Sequence, residues 1–279
     1  MSISKNGHPI TSLDQWKQYA PPKSAHHWVD GRSAKEVARA WLAGGGQALP
    51  GEIQAALVIH PRFGTVLTWD CEPEAKLRFD CFPGEPRNSD LAVMATDSFG
   101  RYVLAVEAKA DETYGQTVAS AFEASRKRQI KNQQSNGIAR IKRLIRLLFR
   151  PCTANEPKAR ELRYQLLTAA AGAIAEAKRQ GVSRAILLVH EFVTPGTRDN
   201  NHKRNAADLQ KFLHRLSGRP FASLRDGQIY GPFSPPGEPG IELFVGKAER
   251  NLRHSHNPSP SAACPSQTLG PDPIPPTED

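Results

Sequence analysis

Three residues carry the densest chemical signal in this 279-residue chain: Asp90, Glu107 and Lys109. Glu107 and Lys109 are two apart, so on a strand their side chains share one face. Turn residues Asp97, Ser98 and Gly100 separate two runs rich in Val, Leu and Ala, at 89–96 and 101–108, which together read as a β-hairpin. If Thr96 faces Arg101, Asp90 stands opposite Glu107, with Cβ atoms about 4.5–5.5 Å apart. A loop shorter by one residue sets Asp90 beside Ala108 instead, so register decides which face the carboxylate takes. Two carboxylates that close repel unless a cation lies between them. A divalent metal, Mg2+ or Mn2+, is the simplest relief, because such ions favour a few carboxylate oxygens together with water and phosphate. Lys109 beside that ion can hold or deprotonate a water, or neutralise the charge of a pentavalent phosphorane. The plainer explanation of Glu107 and Lys109 is a cross-strand ion pair, contributing about 0–1 kcal/mol.

The elements needed to position these groups are legible around them. Strand 101–108 is apolar on both faces until its end, as a central strand should be. Upstream, Pro50 opens a helix over 50–59 with Ile53, Ala56 and Leu57 on one face. Short strands are expected at 66–69 and 77–82. Downstream, 115–150 reads as helix bent near Ser135-Asn136-Gly137, followed by an Ala-rich helix over 159–179. A buried strand begins at 185, an amphipathic helix covers 205–216, and a last strand covers 241–245. Residues 219–240 carry no clear pattern. The polar first 26 residues are expected to form a loosely held segment, 27–249 one domain, and the Pro-rich residues 250–279 a disordered tail.

The formal net charge is +9, and its placement matters more than its size. Arg126, Lys127, Arg128, Lys131, Arg140, Lys142, Arg143, Arg146 and Arg150 fall in one interval that holds no Asp or Glu. A block of one sign repels itself and is suited to a polyanion, so these residues are the expected nucleic-acid contacts. Contacts of this kind position a backbone without reading bases. The four cysteines show neither zinc-ligand spacing nor a disulfide framework. Gly44-Gly45-Gly46 lacks the Lys-Ser/Thr of a P-loop, and no Ser sits in a G-x-S-x-G elbow. No apolar run is long enough for a membrane span, and the N-terminal residues lack a signal-peptide pattern, so a cytoplasmic location is expected.

Asp90, followed after sixteen residues by Glu107-Ala108-Lys109 at a strand end, resembles the PD-(D/E)xK, or restriction endonuclease-like, nuclease superfamily. The phrases RNSDLAV and VEAKADE also look like a bacterial domain family of unknown function linked to that superfamily by resemblance. The resemblance covers about residues 50–195 and implies an α/β core of helix, three-stranded antiparallel meander, helix and strand, in a mixed sheet flanked by helices. It implies that Asp90 and Glu107 bind metal and that Lys109 is the catalytic lysine. Many members carry a further Glu in the first core helix, for which Glu52 is the candidate here. Gln165 matches a glutamine found in some exonuclease branches. Arg87, Asn88, His190 and Glu191 are candidate site-lining residues. Asp90 follows Ser89 rather than Pro, at a position that varies among members.

The expected function is therefore magnesium-dependent phosphodiester hydrolysis on nucleic acid, with DNA the favoured substrate. The rival is a non-catalytic nucleic-acid-binding or regulatory protein on the same scaffold. A metal-dependent enzyme acting on another phosphate substrate is the third possibility.

Overall fold

The computed structural model describes residues 1–152, 156–221 and 223–253. Strands β1 (Ser2–Lys5) and β2 (His8–Pro9) and helices α1 (Leu13–Tyr19), α2 (Ser33–Leu42) and α3 (Gly51–Ile59) come first. A meander follows: β3 (Thr68–Leu77), β4 (Arg87–Asp97) and β5 (Gly100–Lys109). Then come α4 (Val118–Lys131), α5 (Gly137–Leu148), α6 (Tyr164–Arg179), β6 (Arg184–Val193), α7 (Asp199–Ser217), β7 (Gln228–Phe233) and β8 (Glu242–Asn251). Among the described residues this is a mixed α/β fold of seven α-helices and one eight-stranded sheet, in the order β2-β1-β3-β4-β5-β6-β8-β7. The meander pairs are antiparallel, whereas β5, β6 and β8 run parallel.

The sheet is central because its middle strand is apolar on both sides. Every residue of β6 is buried, so helices must cover both faces. Alternate residues Val103, Ala105, Ala185 and Leu187 face a core built by α4–α7. Their neighbours Leu104, Val106, Ile186 and Leu188 face a core built by α1–α3. Helix α6 lies close to the sheet because Ala169, Ala170, Ala173 and Ala177 present small side chains. At Gly172 an added Cβ would stand 3.3 Å from Leu77 Cβ, which shows how close that approach is. Truncating a central leucine such as Leu104 to Ala is expected to cost about 2–5 kcal/mol.

The hairpin takes the expected register, with Thr96 opposite Arg101 and Asp97 opposite Gly100. Asp97 fixes its turn by accepting the Phe99 and Gly64 N–H groups, and Arg184 binds both Asp97 oxygens from β6. Gly100 has φ +110°, a conformation side chains disfavour.

Three expectations are corrected. Residues 1–26 are not loosely held: β1 pairs in parallel with β3, and Ile3, Ile10, Trp16 and Ala20 are buried. In place of strands at 66–69 and 77–82 there is one strand, β3. Residues beyond Leu77 turn away, because Asp80 caps the Phe82 N–H and Arg78 binds the Phe82 and Gly84 carbonyls. The domain does not stop at 249, since β8 continues to Asn251 and Arg250 pairs with Glu52. The rest of the Pro-rich tail, from 254, lies outside the described residues. Among the described residues, no helix is long and apolar enough to cross a membrane.

Candidate active site

The β4–β5 ladder runs to Leu91 opposite Val106, and the next position outward in that register sets Asp90 against Glu107. There Asp90 Oδ2 accepts the Ala108 N–H at 2.7 Å. On the other flank of β4, Pro73 pairs with Leu91 and Ala75 with Ser89, so Glu74 falls opposite Asp90. Glu74 has φ +48°, unusual for a non-glycine residue, and marks an irregularity at this point of β3. Three adjacent strands thus set three carboxylates in a row, Glu74, Asp90 and Glu107, with Lys109 next on β5. They lie on the sheet face covered by α6.

Glu107 is buried and fully partnered. Its Oε1 accepts from Lys109 Nζ at 2.9 Å and from Gln165 Nε2, and its Oε2 pairs with Arg87. Arg87 also donates to Thr168 Oγ1 at 3.1 Å. Burial alone would push the Glu107 carboxyl up, but Lys109 and Arg87 overcome it and hold the group below its ordinary range. Asp90 goes the other way. Desolvation raises it strongly, Glu107 and Glu74 add to the rise, and Lys109 and the Ala108 N–H only partly oppose it. Glu74 is pushed up to about 7, chiefly by burial. Its carboxylate accepts from Asn88 Nδ2. Among the described residues, neither Asp90 nor Glu74 forms an ion pair. Burial disfavours the Lys109 ammonium, yet Glu107 and Asp90 outweigh that and raise its pKa. One end of the row is thus compensated by cations and the other is short of them.

Glu52 does not join this row, although the resemblance implied that it would. Helix α3 packs on the opposite face, where Glu52 Oε1 bonds His190 Nε2 at 2.8 Å and Arg250 Nε at 2.7 Å. Those bonds outweigh burial and lower its pKa to about 2. His190 shares that face and so does not line the carboxylate row. Glu191 lies on the row's face but in a separate network. It meets His202 Nδ1 at 2.9 Å and Lys247 Nζ at 2.5 Å, and Lys247 also reaches Asp226 at 2.6 Å. Glu191, Asp226 and Glu249 are close enough to share a metal, but Lys247 already supplies their cation.

The basic interval does not act as one block. Arg126, Lys127, Arg128 and Lys131 are on α4, where Arg126 pairs with Glu123 and Arg128 bonds Ser125. Arg140 is bound to Asp80 at 2.6 Å. Lys142, Arg143 and Arg146 on α5 line a cavity of about 910 Å³. A second cavity of about 380 Å³ is lined by Arg87, Asn88, Gln165 and Thr168, and the two share Arg78, Phe79 and Asp80. Groups that bind Glu107 and Glu74 therefore line a cavity that adjoins the one carrying the α5 cations.

Sequence reasoning had no place for Glu74, Thr168 or Tyr114. Tyr114 is buried with its ring 5.5 Å from Lys109 Nζ. Glu74 was obscured by Pro73, since proline within a run argues against a paired strand. The available signal was the alternation on either side of it. Among curated proteins nothing matches the chain, and no solved structure matches it. A model of one protein family matches residues 9–252, and the chain accordingly belongs to that family, a domain of unknown function, DUF6946.

Proposed function

We propose that this protein is a metal-dependent phosphodiester hydrolase acting on nucleic acid, with DNA as its substrate, on a restriction endonuclease-like core. The observation that carries this reading is the row Glu74–Asp90–Glu107, in which one carboxylate is ion-paired and two are not. Crowded, desolvated carboxyls with too little positive charge are a donor set suited to Mg2+ or Mn2+. Asp90 and Glu107 are the proposed ligands, with Glu74 beside them, and Arg87 must then share Glu107. Such an ion supplies Lewis acidity at a phosphate oxygen and an activated water.

The chain's own groups would do the rest. Lys109, held by Glu107, is positioned to orient a water or to neutralise charge gathering on the phosphate. Gln165 and Thr168 hold Glu107 and Arg87 in place from α6. Asn88 fixes Glu74. The α5 cations would hold the backbone of the substrate. The order α3, meander β3–β5, helices α4 to α6 and β6 supports the implied core, with more helices before β6 than that core requires.

One observation favours a second reading. Arg87 and Lys109 together neutralise Glu107 without any metal, as expected of a non-catalytic nucleic-acid-binding protein that retains the scaffold. Cleavage of labelled plasmid, linear DNA and RNA with Mg2+, Mn2+ or EDTA separates the two. The nuclease reading expects metal-dependent cleavage by the wild-type protein, lost in folded Asp90→Ala and Lys109→Ala variants. Absence of cleavage with every metal, alongside salt-sensitive binding unchanged in both variants, would transfer the case to the second reading.

A further inference from the structure

We infer that the groove between α5, α6 and the turn after β3 holds an unpaired strand of nucleic acid, its bases on an apolar floor and its phosphates on a cationic rim. This rests on the nucleic-acid part of the reading above and specifies the strand state of that substrate. The groove is the cavity of about 910 Å³ between α5, α6 and the turn after β3. Its rim carries Lys142, Arg143 and Arg146, spaced along one exposed side of α5. Among the described residues none of the three forms an ion pair, and Arg143 makes only a 3.9 Å approach to Cys81 Sγ. Arg140, one position before Ile141, is by contrast bound to Asp80. Across the groove Lys178 and Arg179 are paired with Glu238 and Glu176, so among the described residues the helix-borne lysine and arginines without an ion pair on this rim are those of α5.

The floor decides what they face. Phe79, Phe82 and Ile174 line the same cavity. Arg78 bonds the Phe82 carbonyl at 3.0 Å and so fixes the turn that carries this ring. Arg140 covers Phe82 from 6.0 Å. A duplex keeps its bases stacked inside and offers a protein mainly sugar and phosphate, for which a cationic surface suffices. Aromatic and aliphatic floor between cations serves exposed bases, which stack on side chains without regard to sequence. Arg78, Phe79 and Asp80 also line the neighbouring cavity, which includes Gln165, whose amide touches Glu107. A strand lying in the groove is thus one cavity away from the residues that hold Glu107.

The test is fluorescence anisotropy with the full chain in EDTA, using labelled oligothymidylate, oligouridylate and a duplex of equal length. The two single strands distinguish DNA from RNA as the source. Single strands should bind more tightly than duplex. Phe82→Ala should weaken single-strand binding about tenfold, while Phe82→Tyr, which keeps a stacking face, should preserve it. Replacing Arg143 and Arg146 by Ala should lower the salt slope by about 1.4, or about 0.7 per lost phosphate contact. Duplex binding as tight as single-strand binding, or Phe82→Ala binding unchanged, would overturn the inference even if metal-dependent cleavage is found. Intact single-strand binding without cleavage under any metal would instead overturn the nuclease reading alone.

Discussion

The two faces of the sheet carry similar residues to opposite ends. On the α3 face, Glu52 meets His190 and Arg250, and the bonds they donate outweigh burial and lower its pKa to about 2. On the α6 face, Asp90 and Glu74 have no such partners, and burial raises both. A carboxylate with a cation, Arg250, and a hydrogen-bond donor, His190, already in place is a clasp, here joining α3, β6 and β8. A carboxylate buried without them is a site that gains from a cation. Residue type alone did not distinguish Glu52, in the first turn of α3, from Asp90 on β4, but charge compensation does.

This contrast can be broken in several places. The largest effect is expected at Asp90→Ala, which should lower cleavage about 10³-fold, as loss of several kcal/mol of metal assistance implies. Lys109→Ala should lower it about 10²–10³-fold, comparable to losing one preorganised donor at a developing charge. Both are read as initial rates on labelled DNA, with circular dichroism to check the fold, and near-wild-type rates would refute the assignment.

Stability offers a pair of opposite signs. Glu52 has a lowered folded pKa, so its contribution is present above its ordinary 4.5 and lost as pH falls towards about 2. Glu52→Gln should lose about 1–2 kcal/mol at pH 7, less than the full shift implies because the group is partly screened by solvent. Its stability should also fall less between pH 4.5 and 2. Glu74 has a raised folded pKa, so its contribution is present below 4.5 and lost as pH climbs to about 7. In metal-free protein Glu74→Gln should therefore be about 1 kcal/mol more stable than the wild type above pH 7. Urea melts across this pH range measure both. Changes of the same sign in the two variants would remove the basis of the comparison.

How far the sequence could be read follows from the same physics. The hairpin was legible from its turn residues and its two apolar runs, but its register was left between two choices, of which the fold takes the one with Thr96 opposite Arg101. The continuous apolar run from Ala185 placed β6 at the centre. The N-terminal segment was misjudged because its few core anchors, Ile3, Ile10 and Trp16, are diluted among polar residues and gain meaning only against β3 and α2. Glu74 was hidden by Pro73, and Glu52 was placed on the wrong face because a helical glutamate carries no sign of which side of the sheet its helix will cover. The basic interval was visible as composition, but its division between α4 and α5, and the capture of Arg140 by Asp80, depend on tertiary contacts.

The most direct measurement is calorimetric titration of Mn2+ into metal-free wild-type protein and into Asp90→Asn, which keeps the side chain's size and removes its charge. A divalent-ion site is expected in the wild type and is lost or strongly weakened in the variant, with about 2.7 kcal/mol of stabilisation at a hundredfold excess over Kd. No binding by the wild type, or equal binding by both proteins, would contradict it.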